Sequence, residues 1–143
     1  MTYLLDANIV SETSKPQPDE RVIAWLLAHR GQCVMASVTL AEMRYGIERL
    51  PDGKRKAALE TKYKFMADEY AGLLYDFDGP AATEWGRYAA ELEAEFGSDW
   101  WKVYDFRDTQ LAAIAREYGL TIATRNEKDF PFCDVINPFK VEA

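Results

Sequence analysis

The apolar residues of this chain form short continuous runs that alternate with longer stretches of helical periodicity. Strands buried on both faces of a sheet are indicated for residues 2–6, 33–37, 73–77, 120–124 and 134–136. Apolar residues at helical spacing predict helices over residues 19–29, 39–50, 54–71, 80–96 and 108–118. Because strands alternate with helices, we expect an α/β fold: one domain over residues 1–143, with a mostly parallel central sheet of four to five strands flanked by helices.

Acidic side chains stand at three points of this pattern where a carboxylate needs an explanation. Asp6 ends the first strand, Glu42 lies in the second predicted helix, and Asp108 opens the last one. In a parallel sheet, ligands bind in the crevice outside the carboxyl ends of the strands, which is where Asp6 lies. Arg125 and Asn126 lie at the same end of the fourth predicted strand. The fold should therefore bring these two residues towards Asp6, and the edge of the sheet is a candidate site.

Each acid also has a purely structural explanation. Asp6 could serve as the N-cap of a helix that begins near Asn8. Glu42 points away from the apolar face of its helix, which favours a solvated surface charge. Asp108 falls on the buried stripe of its helix, where an unpaired carboxylate is costly, and this favours a site over simple compensation of the helix dipole. Asp105, one turn earlier, is the expected cap of that helix.

Composition narrows the chemistry that such a site could perform. The 143 residues carry a net charge of −7, the opposite of the basic surface with which proteins usually grip nucleic acid. Bound divalent cations would invert that field locally, so a nuclease is not excluded, and a basic protein partner would be attracted. With His29 as the single histidine, and with only Cys33 and Cys133 as thiols, catalysis is expected to depend on carboxylates and a metal.

The sequence contains no indication of export or membrane association. No apolar stretch approaches the roughly 20 residues that span a bilayer. The N-terminus lacks the basic and apolar regions of a signal peptide. We therefore expect a cytoplasmic protein that makes no membrane contact.

Several motifs follow one another in a fixed order along the chain. They are Leu4-Leu5-Asp6-Ala7-Asn8, Ser11-Glu12 with Lys15-Pro16, Leu40-Ala41-Glu42-Met43-Arg44-Tyr45-Gly46, Asp108-x-x-Leu111-Ala112-Ala113-x-Ala115, Leu120-x-x-Ala123-Thr124-Arg125-Asn126-x-x-Asp129-Phe130, and Asn137-Pro138. This ordered set resembles the PIN-domain family over essentially the whole chain. Within that family it is most similar to the VapC/FitB-type toxins of bacterial toxin–antitoxin pairs. Ala7 stands where a threonine is more usual, and the Trp100–Tyr104 segment departs from the family's pattern.

The resemblance implies a function and assigns residues to it. Asp6, Glu42 and Asp108 match acidic positions that bind Mg²⁺ or Mn²⁺, and Asn126 matches a fourth, catalytic position that is Asp in some members and Asn in others. Asp129 is a possible substitute there, and the asparagine favours one metal ion over two. The implied activity is that of a toxin that cleaves RNA phosphodiester bonds as a metal-dependent endoribonuclease, using metal-activated water. A basic antitoxin protein and a homodimer are the implied partners.

Two other functions compete with this one. The chain could act mainly as an antitoxin-binding and autoregulatory module with little nuclease activity of its own. A haloacid-dehalogenase-like phosphatase would need a second Asp two residues after the first, where this chain has Asn8. If RNA is the substrate, Arg44, Arg125 and Lys128 are candidates for contacting its phosphates. The role of Trp100 and Trp101, in a predicted loop at 97–102, stays open among packing, base stacking and a protein contact.

Overall fold

Five short parallel strands form one sheet in the computed structural model, which describes residues 1–141. In chain order they are β1 (Tyr3–Leu5), β2 (Cys33–Ala36), β3 (Leu74–Tyr75), β4 (Thr121–Ala123) and β5 (Val135–Ile136). Their order across the sheet is β3-β2-β1-β4-β5. The chain moves outwards on one side of β1 to β2 and β3, and later on the other side to β4 and β5. The switch point of the topology, where such folds bind ligands, therefore lies between the ends of β1 and β4.

Helices connect the strands and cover both faces of the sheet. They are α1 (Ala7–Glu12), α2 (Glu20–Ala28), α3 (Ser37–Glu48), α4 (Lys54–Glu69), α5 (Gly79–Phe96) and α6 (Phe106–Tyr118), with 3₁₀ turns at Trp100–Lys102 and Glu127–Asp129. Aspartates begin four of them, because the carboxylates of Asp6, Asp19, Asp78 and Asp105 accept hydrogen bonds from first-turn N–H groups. Gly119 ends α6 in the left-handed conformation that favours glycine, with φ of 66°.

The core is divided between the two faces of the sheet. On one face Leu4 and Ile122 pack with Tyr88, Leu92 and Ile114, the buried side chains of α5 and α6. On the other face the packed residues come from β1, β2, β4, α1, α2 and the C-terminal turn, and they are Tyr3, Leu5, Ile9, Val22, Trp25, Cys33, Met35, Ala123 and Phe139. Successive residues of β1 thus enter opposite layers, which explains why its sequence is continuously apolar.

The predicted α/β fold with a mostly parallel sheet is confirmed, and its details differ in several places, among them Ser37, which was predicted to end the second strand and instead begins α3. The short helix α1 was absent from the predicted set, although Asp6 was considered as its cap. The last helix begins at Phe106 instead of residue 108, because Asp105 caps it. The stretch predicted as a loop at 97–102 contains a 3₁₀ turn, in which Trp100 is half-buried against the core and Trp101 stays 61% exposed. None of the helices within residues 1–141 is both long and apolar enough to cross a bilayer.

The central strand gives a direct test of the two-layer core. Leu4 is fully buried against α5 and α6, so Leu4→Ala is expected to lower the free energy of unfolding by about 2–5 kcal/mol. Phe65 is 77% exposed on α4, and Phe65→Ala should change stability by no more than about 0.5 kcal/mol. Urea unfolding of the two variants measures both values. Equal stability of the two variants would contradict the proposed position of Leu4 in the core.

Candidate active site

Asp6 is held by three hydrogen bonds at the point where β1 passes into α1. Its Oδ1 accepts from the Ala7 backbone N–H at 2.7 Å, and its Oδ2 accepts from the Thr124 hydroxyl at 2.9 Å and from Asn8 Nδ2 at 3.2 Å. The residue is 8% exposed. Asp6 is therefore the N-cap of α1, as its structural explanation required. A carboxylate offers about four acceptor positions, so this role does not exclude a ligand at Oδ1.

The buried hydroxyl of Thr124 joins the ends of β1 and β4. While donating to Asp6, it accepts from the Asn126 backbone N–H at 3.0 Å and from Asn8 Nδ2 at 3.4 Å. The Asn8 side chain in turn accepts from the Arg125 N–H at 3.1 Å. Thr124 belongs to a motif of the sequence for which no role of this residue was predicted. Its position directly after β4, beside the strand that ends in Asp6, was the feature that could have indicated one.

Glu42 lies on α3 with its side chain 29% exposed, facing Arg107 of α6. Helical periodicity favoured a solvated Glu42, but its side chain is only partly exposed, because α6 packs beside α3 at this point, whereas Tyr45 and Gly46 on the same face stay exposed. Arg107 Nε lies 3.8 Å from Glu42 Oε1 and also bonds Asp105. Burial raises the pKa of Glu42, and the charge of Arg107 offsets part of that rise.

Asp108 occupies the first turn of α6 and is half-buried. Burial raises the pKa of Asp108 to about 7, and the negative charges of Asp6, Asp129, Asp105 and Glu42 add to the rise. The pKa of Asp6 is also raised, by burial first and by the charge of Asp129, against the lowering effect of its hydrogen bonds. The acids from β1, α3 and α6 thus act on one another electrostatically, so the fold brings them into one cluster.

The fourth corner of the site is divided between Asn126 and Asp129. Asn126 is exposed in the turn after β4 and is tied through its backbone N–H to Thr124. Asp129 is half-buried at the end of the following 3₁₀ turn, and its charge acts on both Asp6 and Asp108. A role for the Asn126 side chain stays a prediction, whereas Asp129 already contributes to the field of the cluster.

The three basic residues considered as phosphate contacts differ in their surroundings. Arg44 pairs with Glu48 and lies 3.8 Å from Glu60, so its charge is directed towards α4. Arg125 lies over the Phe139 ring at 4.6 Å and beside the turn after β4. Lys128 is exposed in the next turn. A phosphate contact by Arg44 would have to displace the carboxylates of Glu48 and Glu60, and phosphate contacts by Arg44, Arg125 and Lys128 all stay predictions.

The donor set of the cluster consists of carboxylate oxygens, which are the ligands that hard cations such as Mg²⁺ and Mn²⁺ prefer. As the side chains stand, no three His, Cys, Asp or Glu residues within positions 1–141 are close enough to hold a metal ion among them. Mg²⁺ commonly uses only one or two carboxylates and keeps several waters. The residues therefore fit such a cation by their chemistry.

Comparison with known proteins agrees with this arrangement. The model of the PIN domain family matches residues 3–135. Toxin FitB of Neisseria gonorrhoeae is 34% identical, with 95% of this chain and 97% of that protein covered. VapC ribonuclease Y4jK of Sinorhizobium fredii is 30% identical, with 96% and 97% covered. A solved structure of FitAB bound to an IR36 DNA fragment contains a chain that superposes with a TM-score of 0.89 at 31% identity, and 99% of each chain is covered.

The raised pKa of Asp108 predicts a pH-dependent effect on stability. Its pKa is about 7 in the folded protein against 3.8 for the ordinary group, so ionised Asp108 opposes folding, increasingly as the pH rises from about 4 to 7. Without metal, Asp108→Asn should therefore raise the free energy of unfolding by roughly 1–2 kcal/mol at pH 8. The gain should largely disappear at pH 3, below the ordinary pKa of 3.8, where the carboxyl is mostly protonated in both states. Urea unfolding at the two pH values measures the difference, and an equal gain at both would contradict the assignment.

The Thr124 hydroxyl provides a second test. Thr124→Val keeps the shape of the side chain but removes one partner from the buried Asp6 carboxylate and one from the Asn126 N–H, at a cost of about 1–3 kcal/mol. Thr124→Ser keeps the hydroxyl and should lose less. The carboxyl pKa of Asp6, followed by NMR, should rise in the valine variant because a hydrogen bond that favours the ionised form is lost. An unchanged Asp6 pKa would show that the hydroxyl does not support this carboxylate.

Proposed function

Because the chain belongs to the PIN domain family, we propose that it is a divalent-metal-dependent endoribonuclease and the toxin of a toxin–antitoxin pair. The observation that carries this proposal is the cluster of Asp6, Glu42 and Asp108, whose pKa values are all raised by burial at the carboxyl edge of the sheet. Such shifts are characteristic of functional carboxylates. The names of relatives as a toxin and as a ribonuclease support the same activity.

Asp6, Glu42 and Asp108 are the residues proposed to hold Mg²⁺ or Mn²⁺, with Asn126 at the fourth catalytic corner and Asp129 beside it. When bound, the cation would lower the pKa of the attacking water and neutralise charge on the phosphoryl oxygens. The protein contributes fixed geometry, since backbone and hydroxyl donors hold the Asp6 carboxylate in one orientation. Near pH 7 and without a cation, Asp108 holds a proton on its carboxyl about half of the time.

The proposed partners follow from charge and from the family. A chain of net charge −7 attracts basic segments, which suits a basic antitoxin that covers the acidic edge. The related FitB chain was solved in a FitAB complex on DNA. We extend this to the present chain as an antitoxin complex, with a homodimer of the toxin at its centre, acting in the cytoplasm.

RNA cleavage tests the proposed activity directly. The purified chain should cleave cellular RNA in the presence of Mg²⁺ or Mn²⁺, and EDTA should stop the reaction. Asp108→Asn and Asp6→Asn should each lower the rate by about 100-fold or more. Asparagine is chosen at position 6 because it keeps the helix cap, so loss of activity is not loss of fold. Sequencing of the new RNA ends measures the reaction and identifies its target.

Asp99→Asn is the matched control, because Asp99 is an exposed acid with no contact to the cluster. It should retain the activity of the unaltered protein. Equal cleavage by the Asp108→Asn variant and the control would refute the site. If the isolated chain binds an antitoxin but no variant or metal condition yields cleavage, the autoregulatory alternative replaces the nuclease.

A further inference from the structure

A cleft opens directly beside Glu42, between α3 and α6. It has a volume of about 340 Å³ and is lined by Val38, Ala41, Glu42, Tyr45, Arg107 and Gln110. This volume lies within the range of about 300–1,000 Å³ that small-molecule sites occupy. Because Glu42 forms part of its wall, any group in the cleft lies next to the proposed position of the reacting phosphate.

Tyr45 gives the cleft an accessible aromatic face. It follows Glu42 by three positions on α3, so the two side chains project from the same side of the helix. The Tyr45 ring is 58% exposed, and the Arg49 guanidinium lies over it at 5.3 Å. Arg49 thus contacts one face of the ring, and the exposure of the residue leaves room for a planar group to stack on it.

Arg107 brings positive charge to the opposite wall. Within residues 1–141 it is the one basic residue within 4 Å of a carboxylate of the proposed metal site. Its guanidinium is half exposed and is bonded to Asp105 at 3.2 Å. A guanidinium in this position can exchange a solvent-exposed carboxylate for a phosphate, which it binds through two parallel hydrogen bonds.

Gln110 completes the lining one helical turn beyond Arg107. Its side-chain amide can both donate and accept hydrogen bonds, as the edge of a base requires. An aromatic face, a guanidinium and an amide therefore surround a space with largely apolar walls. This combination matches the base and phosphate of a nucleotide better than it matches an apolar peptide side chain.

We propose that this cleft, between Tyr45 and Arg107, binds the nucleotide next to the scissile bond of a single-stranded RNA. Its base stacks on Tyr45, its phosphate contacts Arg107, and Gln110 contacts the base edge. This inference rests on the proposed nuclease function, and it names the residues that would select the substrate. It also gives an acidic chain a means of binding RNA, since Arg49 and Arg107 place two positive charges at the proposed point of contact.

The test compares substrates with and without the stacking base. After the cleaved bond is mapped, short RNAs are made that are intact or that lack the base on one or the other side of it. Tyr45→Ala should lower kcat/KM by about 5- to 150-fold on the intact RNA. On one of the two abasic RNAs, the same substitution should have no effect. Tyr45→Phe should stay close to the unaltered protein, and Phe65→Ala, at an exposed aromatic of α4, should not differ from it.

The role of Arg107 is tested by measuring the effects of its substitution on KM and on kcat separately. Arg107→Gln should mainly raise KM, and Arg107→Lys should recover part of the loss because it keeps the charge. A Tyr45→Ala effect that is the same on intact and abasic RNAs would refute base stacking. If Tyr45→Ala instead changes the molar mass in solution, measured by light scattering, the cleft is a contact between protein chains and the inference is wrong.

Binding without cleavage separates this inference from the proposed function. Short single-stranded RNAs that contain 2-aminopurine are titrated with the protein in Ca²⁺, and stacking on Tyr45 should quench their fluorescence. Quenching that Tyr45→Ala abolishes, in a protein that never cleaves RNA, would support the cleft and refute the nuclease. Absence of any RNA binding would refute both. Cleavage with quenching that is unaffected by Tyr45→Ala would refute the cleft alone.

Discussion

The carboxylates of Asp6, Glu42 and Asp108 are held near one another at an edge of the sheet to which water has only partial access. Burial disfavours the ionised form of each and is the first cause of all three raised pKa values, and neighbouring carboxylates, Asp129 among them, add to the rise. The surrounding structure must provide enough stability to keep the group together. A divalent cation would remove the repulsion between the carboxylates. The repulsion that destabilises the metal-free protein would therefore favour metal binding.

The sheet provides that stability through the strands that carry the site. The backbone N–H of Asp6 bonds the Ala123 carbonyl at 2.9 Å, and the N–H of Thr124 bonds the Ile136 carbonyl at 3.0 Å. The side-chain bonds among Asp6, Asn8 and Thr124 therefore start from backbone positions that the parallel ladder has already fixed. Because β1 is buried by core residues on both faces, this end of the sheet cannot relax without loss of packing. The site is rigid on the Asp6 side for this reason.

The opposite side of the site depends on how two helices approach each other, and this is where sequence reasoning was weakest. The alternation of short apolar runs with stretches of helical periodicity was enough to predict the α/β fold. The position of Asp6 after a buried strand also follows from local sequence alone. Helical periodicity describes one helix at a time, so it assigned Glu42 to solvent and gave Arg107 no role. Both residues acquire their surroundings only when α6 packs beside α3. Thr124 was overlooked for a related reason. Its hydroxyl bonds Asp6, which is far away in the sequence, and no local pattern indicates such a contact.

The proposed partners, RNA and a basic antitoxin, carry opposite charges, so an acidic chain attracts one of them at long range and needs local positive charge to bind the other. A net charge of −7 acts over the whole surface and favours approach by basic segments, whereas RNA is repelled until it reaches local positive charge. Arg107 provides such a positive charge beside the carboxylates, where it bonds Asp105 and faces Glu42. A cation bound by the carboxylates would extend this positive region. A basic antitoxin segment and a divalent cation would then neutralise the same carboxylates. If the proposed antitoxin segment occupied these carboxylates, RNA could no longer approach them, and inhibition would need no change in the fold.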